Sequence, residues 1–214
     1  MNDVQYDERR SEMRTETRRE QQRQAVRETI LDAARDALAE GGQASFSMRK
    51  LAETIGCSPG TIYLYFKAKE DLLDRLVEEA FEKLLEQLEE VHDEQDAVRS
   101  LRRKLRAYVD FGLRFPNHYH VAFVMRPPGR EPVTTLRPHA AFDVLRAAVE
   151  RCIEQRRFRT SDIESTSQLL WTAIHGITSL LIALPGFPWV ERESLIDGVI
   201  DNAVRGLLGG DDGR

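Results

Sequence analysis

Residues 56–66 read Gly56-Cys57-Ser58-Pro59-Gly60-Thr61-Ile62-Tyr63-Leu64-Tyr65-Phe66. The run holds no charge, yet Lys67 and Lys69 follow it at once. Gly56 permits a tight turn, Ser58 is suited to cap a helix, and Pro59 fits its first position. Ile62 and Phe66, four apart, fall on one side of such a helix. A second short helix is announced just upstream. Ser47 is its cap, Phe46 and Leu51 occupy staple positions, and Leu51, Ala52 and Ile55 form its apolar face. Helix, glycine turn, helix is the helix-turn-helix pattern, in which the last helix enters a DNA major groove by its N-terminal end. Gly60 lets a duplex approach the backbone, and Thr61, Tyr63 and Tyr65 can donate to phosphates or touch base edges. From Gly41 to Lys69 there are four basic residues (Arg49, Lys50, Lys67, Lys69) and one acid, Glu53. That local excess is the footprint expected of a nucleic-acid reader.

Working outward, Val26, Ile30, Ala33, Ala34, Ala37 and Leu38 recur at helical spacing, and Gly41-Gly42 is expected to stop that helix. Beyond Lys69, Leu73, Val77, Ala80, Leu84 and Leu88 form the stripe of a long amphipathic helix ending near His92. Further helices fit Ala97–Phe115, Asn117–Met125, His139–Phe158, Asp162–Leu184 and Glu191–Leu208. The segments Arg126–Pro138 and Pro185–Pro188 read as loops. No period-2 run of useful length occurs, so the expected fold class is all-α. The first 24 residues are polar, with interleaved Arg and Glu, and predict a flexible or partly helical arm. An arginine-bearing arm can reach a minor groove; the interleaved acids favour a solvated tail.

Composition narrows the function. The 214 residues carry a net charge of −5, which excludes a wholly basic nucleic-acid coat but not a basic patch. Two distant cysteines, Cys57 and Cys152, give neither a disulfide framework nor a metal spacing, and suit a reducing compartment. No secretory signal is expected, and the most apolar run, Leu169–Leu184, is too short and too interrupted to span a bilayer. A cytoplasmic protein is expected. His118 and His120 point to different sides of a helix, so no metal site is expected there. No nucleophile–base pair or phosphate-binding loop stands out, so neither an enzyme nor a cofactor is expected.

The stretch from Gly56 to Phe66, with Lys67-Ala68-Lys69-Glu70-Asp71-Leu72 after it, resembles the signature of the TetR (tetracycline-repressor-like) transcriptional regulators. Ile30-Leu31-Asp32-Ala33-Ala34 and Ser47-Met48-Arg49-Lys50-Leu51-Ala52 add to the resemblance, which covers roughly residues 24–84. Two departures are Cys57, where valine is commoner, and Leu64, where a polar or aromatic residue often stands. The resemblance implies that Ser47 touches phosphate, that Ser58, Pro59, Gly60, Thr61 and Tyr63 face the groove, and that Tyr65 and Lys69 clamp the backbone, with Lys67 adding charge. With the polar arm taken as residues 1–23, it implies a DNA-binding domain over 24–84 and a regulatory, dimerising bundle over 85–214.

Within that bundle, Trp171-Thr172-Ala173-Ile174-His175-Gly176 is similar to the Trp-x-x-x-His-Gly element of one C-terminal subgroup, the WHG type. Gly176 would permit close helix contact, and His175 could meet a ligand or be a satisfied core group. Phe111, Phe115, Tyr119, Phe123 and Met125, with Trp171 and His175, are expected to cluster around an apolar effector pocket, or to be plain core. Leu170, Ile174, Ile177, Leu181 and Leu184 on one helix, and Leu195 or Ile196, Val199, Ala203 and Leu207 on the next, suit a two-fold dimer interface or the monomer core. The expected function is a DNA-binding transcriptional regulator: a ligand-released repressor that binds a palindromic duplex as a homodimer, with the helix from Glu70 to about Val91 as the lever. The alternative is a ligand-sensing or protein-interaction bundle without DNA binding.

Overall fold

A computed structural model describes residues 3–123 and 137–209, with side chains over 18–42, 45–123 and 140–209. The described residues form helices α1 (Asp3–Ser45), α2 (Met48–Ile55), α3 (Pro59–Tyr63), α4 (Lys69–Glu89), α5 (Ala97–Arg114), α6 (Pro116–Phe123), α7 (Arg137–Glu154), α8 (Ile163–Ala183) and α9 (Arg192–Arg205). Strand pairing among them is confined to one isolated bridge, Phe158 with Leu208. The chain divides into two compact units between Leu76 and Val77, inside α4. Met125 and most of the expected 126–138 loop lie outside the described residues.

In the N-terminal unit, α1 continues through the polar arm, which lacks Gly and Pro up to Gly41 and is built largely of good helix formers. Gly42 breaks it, with φ 66° and ψ 174°. The core is Ile30, Leu31, Ala34 and Leu38 from α1, Met48, Leu51 and Ala52 from α2, and Ile62 and Phe66 from the third-helix region. Gly56 sits in the left-handed region (φ 70°) and caps α2, while the Cys57 N–H donates to the Ala52 carbonyl at 2.9 Å. This turn sets α3 against α2.

In the C-terminal unit, α5 packs against α6, α7, α8 and α9. Helices α5, α8 and α9 start on carboxylate caps. Asp96 accepts from the Val98 and Arg99 N–H groups, Asp162 from Ser165, and Glu191 from Glu193 and Ser194. These backbone bonds hold all three carboxyls below their ordinary pKa. Helix α7 stops at Glu154 rather than running to Phe158. Arg156 takes φ 55°, the Arg157 N–H closes onto the Cys152 carbonyl, and Arg159 then pairs with Leu207. Helices α5 and α8 meet closely at Gly112, where an added Cβ would lie 2.3 Å from Thr178 Cγ2 and 2.9 Å from Tyr119 Cδ2.

Candidate nucleic-acid interface and effector cavity

At the reader end, local capping fixes what faces outward. Ser47 Oγ accepts from the Lys50 N–H at 3.2 Å, and Ser58 Oγ accepts from the Thr61 N–H at 3.1 Å. Ser58 Oγ also lies 2.9 Å from Thr61 Oγ1. Ile62 and Phe66 are buried, so the residues between them point away from the core. Ser58, Pro59, Gly60, Tyr63, Leu64 and Lys67 are exposed, and Thr61, Tyr65 and Lys69 are half-buried. Tyr63 is 49% and Leu64 75% exposed; among the described residues of this unit, they are the exposed large apolar side chains. A Cβ at Gly60 would meet only Ser58 Oγ, at 3.6 Å, so the space outside that backbone is open.

The cations differ in their commitments. Arg49 pairs with Glu53 at 3.1 Å, and Lys50 Nζ donates to the Ser45 carbonyl at 3.3 Å. Lys69 Nζ donates to the Phe46 carbonyl at 2.7 Å and sits 5.2 Å from the Phe46 ring centroid, tying the start of α4 to the entry of α2. Lys67, three residues beyond Leu64 in the chain, stands exposed.

The C-terminal unit holds a cavity of about 410 Å³, within the size range of small-molecule sites. Phe123, Trp171 and His175 line it, together with Tyr108, which the sequence reading did not single out. Trp171 and His175 reach it together because they are one helical turn apart on α8. Three of the expected residues do not line it. Tyr119 lies behind His175, with its hydroxyl 2.6 Å from His175 Nδ1. Phe111 is buried in the core against Phe115, and Phe115 lies under Lys83, 4.3 Å from its ammonium. The reason is helix rise: α5 faces the cavity at Lys104, Leu105 and Tyr108, and Phe111 and Phe115 lie about 5 and 10 Å further along. The available signal for Tyr108 is its i, i+3 and i, i+7 relation to the two phenylalanines.

Tyr108, Tyr119, Trp171, His175 and Ser179 form one polar chain. Trp171 Nε1 donates to the Tyr108 hydroxyl at 3.2 Å, that hydroxyl lies 3.0 Å from His175 Nδ1, and the Tyr119 hydroxyl lies 3.2 Å from Ser179 Oγ. Burial pushes both tyrosines above their ordinary pKa and His175 below its own, so at neutral pH all three are uncharged. His175 is thus a satisfied polar group and a wall residue at once. Around Gly176, read from the sequence as permitting a close helix contact, an added Cβ would meet nothing within 4 Å among the described residues. Gly112 makes a close helix contact within the chain.

Residues 30–76 match the family profile described as bacterial regulatory proteins of the tetR family, and residues 101–204 match the tetracyclin repressor-like C-terminal domain. The chain belongs to the TetR family. The two matched segments of this TetR-family chain contain every residue assigned above to the reader surface, and Tyr108, Tyr119, Trp171 and His175. A curated relative, the fatty acid metabolism regulator protein of Bacillus subtilis (strain 168), is 43% identical over 58 residues. Those residues are 27% of this chain and about 30% of the relative's length. Among solved structures, a protein of unknown function from Rhodococcus sp. RHA1 has a TM-score of 0.73 at 24% identity, covering 86% of this chain and 96% of its own. The transcriptional regulator FadR from Bacillus subtilis, in complex with stearoyl-CoA, has a TM-score of 0.72 at 23% identity, covering 83% and 97%. At these identities the two structures establish the fold.

Proposed function

We propose that this chain is a DNA-binding transcriptional regulator that reads a palindromic duplex as a homodimer and is released by a small effector in the C-terminal cavity. The observation that carries the reading is the surface at α3: Tyr63 and Leu64 stand exposed above buried Ile62 and Phe66, beside Lys67 and an open backbone at Gly60. Exposed aromatic and aliphatic groups next to a cation suit base edges, thymine methyls and phosphates. Ser47, Ser58, Pro59, Thr61, Tyr65 and Lys69 complete the proposed contact set. Ser47 and Ser58 would act at the ends of the helices they cap, and Lys69 from its bridge to Phe46. The alternative, a bundle without DNA binding, gives no account of this exposed apolar pair.

The DNA reader falls within residues 24–84 and the regulatory part within 85–214, with α4 carrying residues of both. Two subunits pair through α8 and α9. Leu170, Ile174, Ile177 and Leu181 are buried inside the chain, so they form its core and not the pairing face. The pairing face is an adjacent side of α8, where Leu169 and Leu180 are 65% and 47% exposed and Gly176 is uncovered, continuing to Leu184 and Val190. Effector binding shifts the dimer toward an arrangement whose reader helices no longer match successive major grooves. Such a protein acts in the cytoplasm, and no described helix is long and apolar enough to cross a membrane. The FadR–stearoyl-CoA complex supports an apolar effector.

The test is selection from a random duplex library with the purified full-length chain at low salt. Enrichment of a two-fold symmetric site, with half-sites about 10 base pairs or a multiple apart, is expected. A library that emerges without enrichment rejects the reading.

A further inference from the structure

The chemical class of the effector follows from what the cavity wall offers. Among its described lining residues the charged group is Lys104, and no carboxylate contributes. Two acids near the wall are already committed. Asp143, between lining residues Phe142 and Val144, pairs with Arg146 at 3.0 Å. Asp93 Oδ1 is held by Arg151 at 2.7 Å and lies 3.4 Å from Lys104, so this trio keeps a net positive charge. Lys104 Nζ also donates to the Val91 carbonyl at 3.1 Å, which leaves one of its three N–H groups for a ligand.

Tyr108, one turn further along α5, adds a second donor. Its oxygen accepts from Trp171. Its proton has two protein acceptors in reach, His175 Nδ1 at 3.0 Å and the Tyr119 oxygen at 3.5 Å. If Nδ1 is the acceptor nitrogen, its single lone pair serves either Tyr108 or the closer Tyr119 hydroxyl at 2.6 Å, which can otherwise donate to the His175 carbonyl at 3.3 Å or to Ser179 Oγ at 3.2 Å. If Nδ1 carries the ring proton, it accepts from neither. Where Nδ1 carries the ring proton or accepts from Tyr119, the Tyr108 proton is left with an oxygen 3.5 Å away, beyond a good O–H···O distance. The rest of the wall is mainly apolar, including Phe81, Leu84, Leu145 and Ile174.

We infer that the cavity selects an apolar molecule carrying an acyl oxygen, a carboxylate or an ester-type carbonyl, which Tyr108 and Lys104 hold, and that it rejects lipophilic cations. This inference rests on the cavity being the effector site and names what that site takes. A cation would face Lys104 with no carboxylate to neutralise it, and burying an unpaired charge is costly. An acyl oxygen meets donors already in place.

Calorimetric titration of the full-length protein tests this without DNA, using decanoate, methyl decanoate and decylammonium as probes. Decanoate or methyl decanoate is expected to bind at least about tenfold more tightly than decylammonium, a difference of about 1.4 kcal/mol. Tyr108→Phe is expected to weaken both acyl probes by about tenfold. Lys104→Met is expected to weaken decanoate more than methyl decanoate, which separates a free carboxylate from a bare carbonyl. Decylammonium binding as tightly as the acyl probes would overturn the inference while leaving the cavity as an effector site. No binding by any of the three would overturn both. Should Lys104→Met fail to fold, the wild-type preference and Tyr108→Phe still decide, since Tyr108→Phe keeps the ring and removes one hydroxyl. Unchanged acyl binding in Tyr108→Phe overturns the inference as well.

Discussion

Tyr63 and Ile62 are chain neighbours with opposite roles. Ile62 is fully buried and holds α3 to its unit, whereas half of Tyr63 is in solvent. Tyr63→Ala is therefore expected to change stability by no more than about 0.5 kcal/mol. It should cost about 1–3 kcal/mol per half-site in binding to a selected duplex. Urea unfolding and a gel-shift titration read the two quantities separately; unchanged DNA affinity would remove Tyr63 from the interface. His175 makes a different residue-scale prediction. Burial lowers its pKa from the ordinary 6.5, so below pH 6.5 the unfolded chain binds more protons than the folded one. Stability is expected to fall as pH drops through that range. The capping carboxylates Asp96, Asp162 and Glu191 are also held low, and they lose their contribution only at more acid pH. His175→Gln should flatten the decline between about pH 7 and 5 in urea midpoints, and an identical slope in the variant would remove His175 as its source.

At the scale of elements, two glycines separate packing from exposure. Gly112 lets α5 approach α8, and the Cβ of an alanine there would overlap Thr178 Cγ2. Gly112→Ala is expected to destabilise the C-terminal unit by about 1–3 kcal/mol. Gly176 has open space around it in the single chain, so Gly176→Ala is expected to leave monomer stability unharmed and to perturb only what covers α8. Denaturant midpoints of the two variants at low protein concentration, where dimers dissociate, check the contrast. The same helix carries the proposed pairing face. Leu180 is 47% exposed while Leu181 is buried, so Leu180→Glu should leave the fold intact and turn the dimer into a monomer by light scattering. A variant that stays dimeric would place the two-fold axis elsewhere.

For the whole molecule, net charge and local charge act in opposite directions. A chain at −5 is repelled by DNA overall, so binding depends on a few well-placed cations, and those release counterions. Lys67 is an exposed cation for which no ion pair with a described residue is seen, unlike Arg49, which pairs with Glu53. Lys67→Gln is expected to reduce the slope of log affinity against log salt by about 1.8 for a dimer, one phosphate per subunit. Gel shifts between 50 and 200 mM salt measure this, and an unchanged slope assigns the phosphate contacts to other residues.

The helix-turn-helix was legible in the sequence because its determinants are local. Ser47, Gly56, Ser58 and Pro59 are caps and turn residues whose roles depend on neighbours within four positions, and each sits where that chemistry places it. The helices after Lys69 were legible to within a few residues for the same reason, except where Arg156 turns the chain at the end of α7. The cavity was only partly legible. Trp171 and His175 share a helix face, a local relation, but which of Tyr108, Phe111, Phe115 and Tyr119 reach the same space depends on how α5, α6 and α8 cross. Likewise, periodicity identified apolar stripes on α8 without showing which one the chain itself covers. Sequence alone determined the elements and the outward face of α3, since backbone sterics and capping act over a few residues. Tertiary structure decided the cavity wall, the roles of Gly112 and Gly176, and the uncovered face of α8, since these depend on contacts between residues distant along the chain.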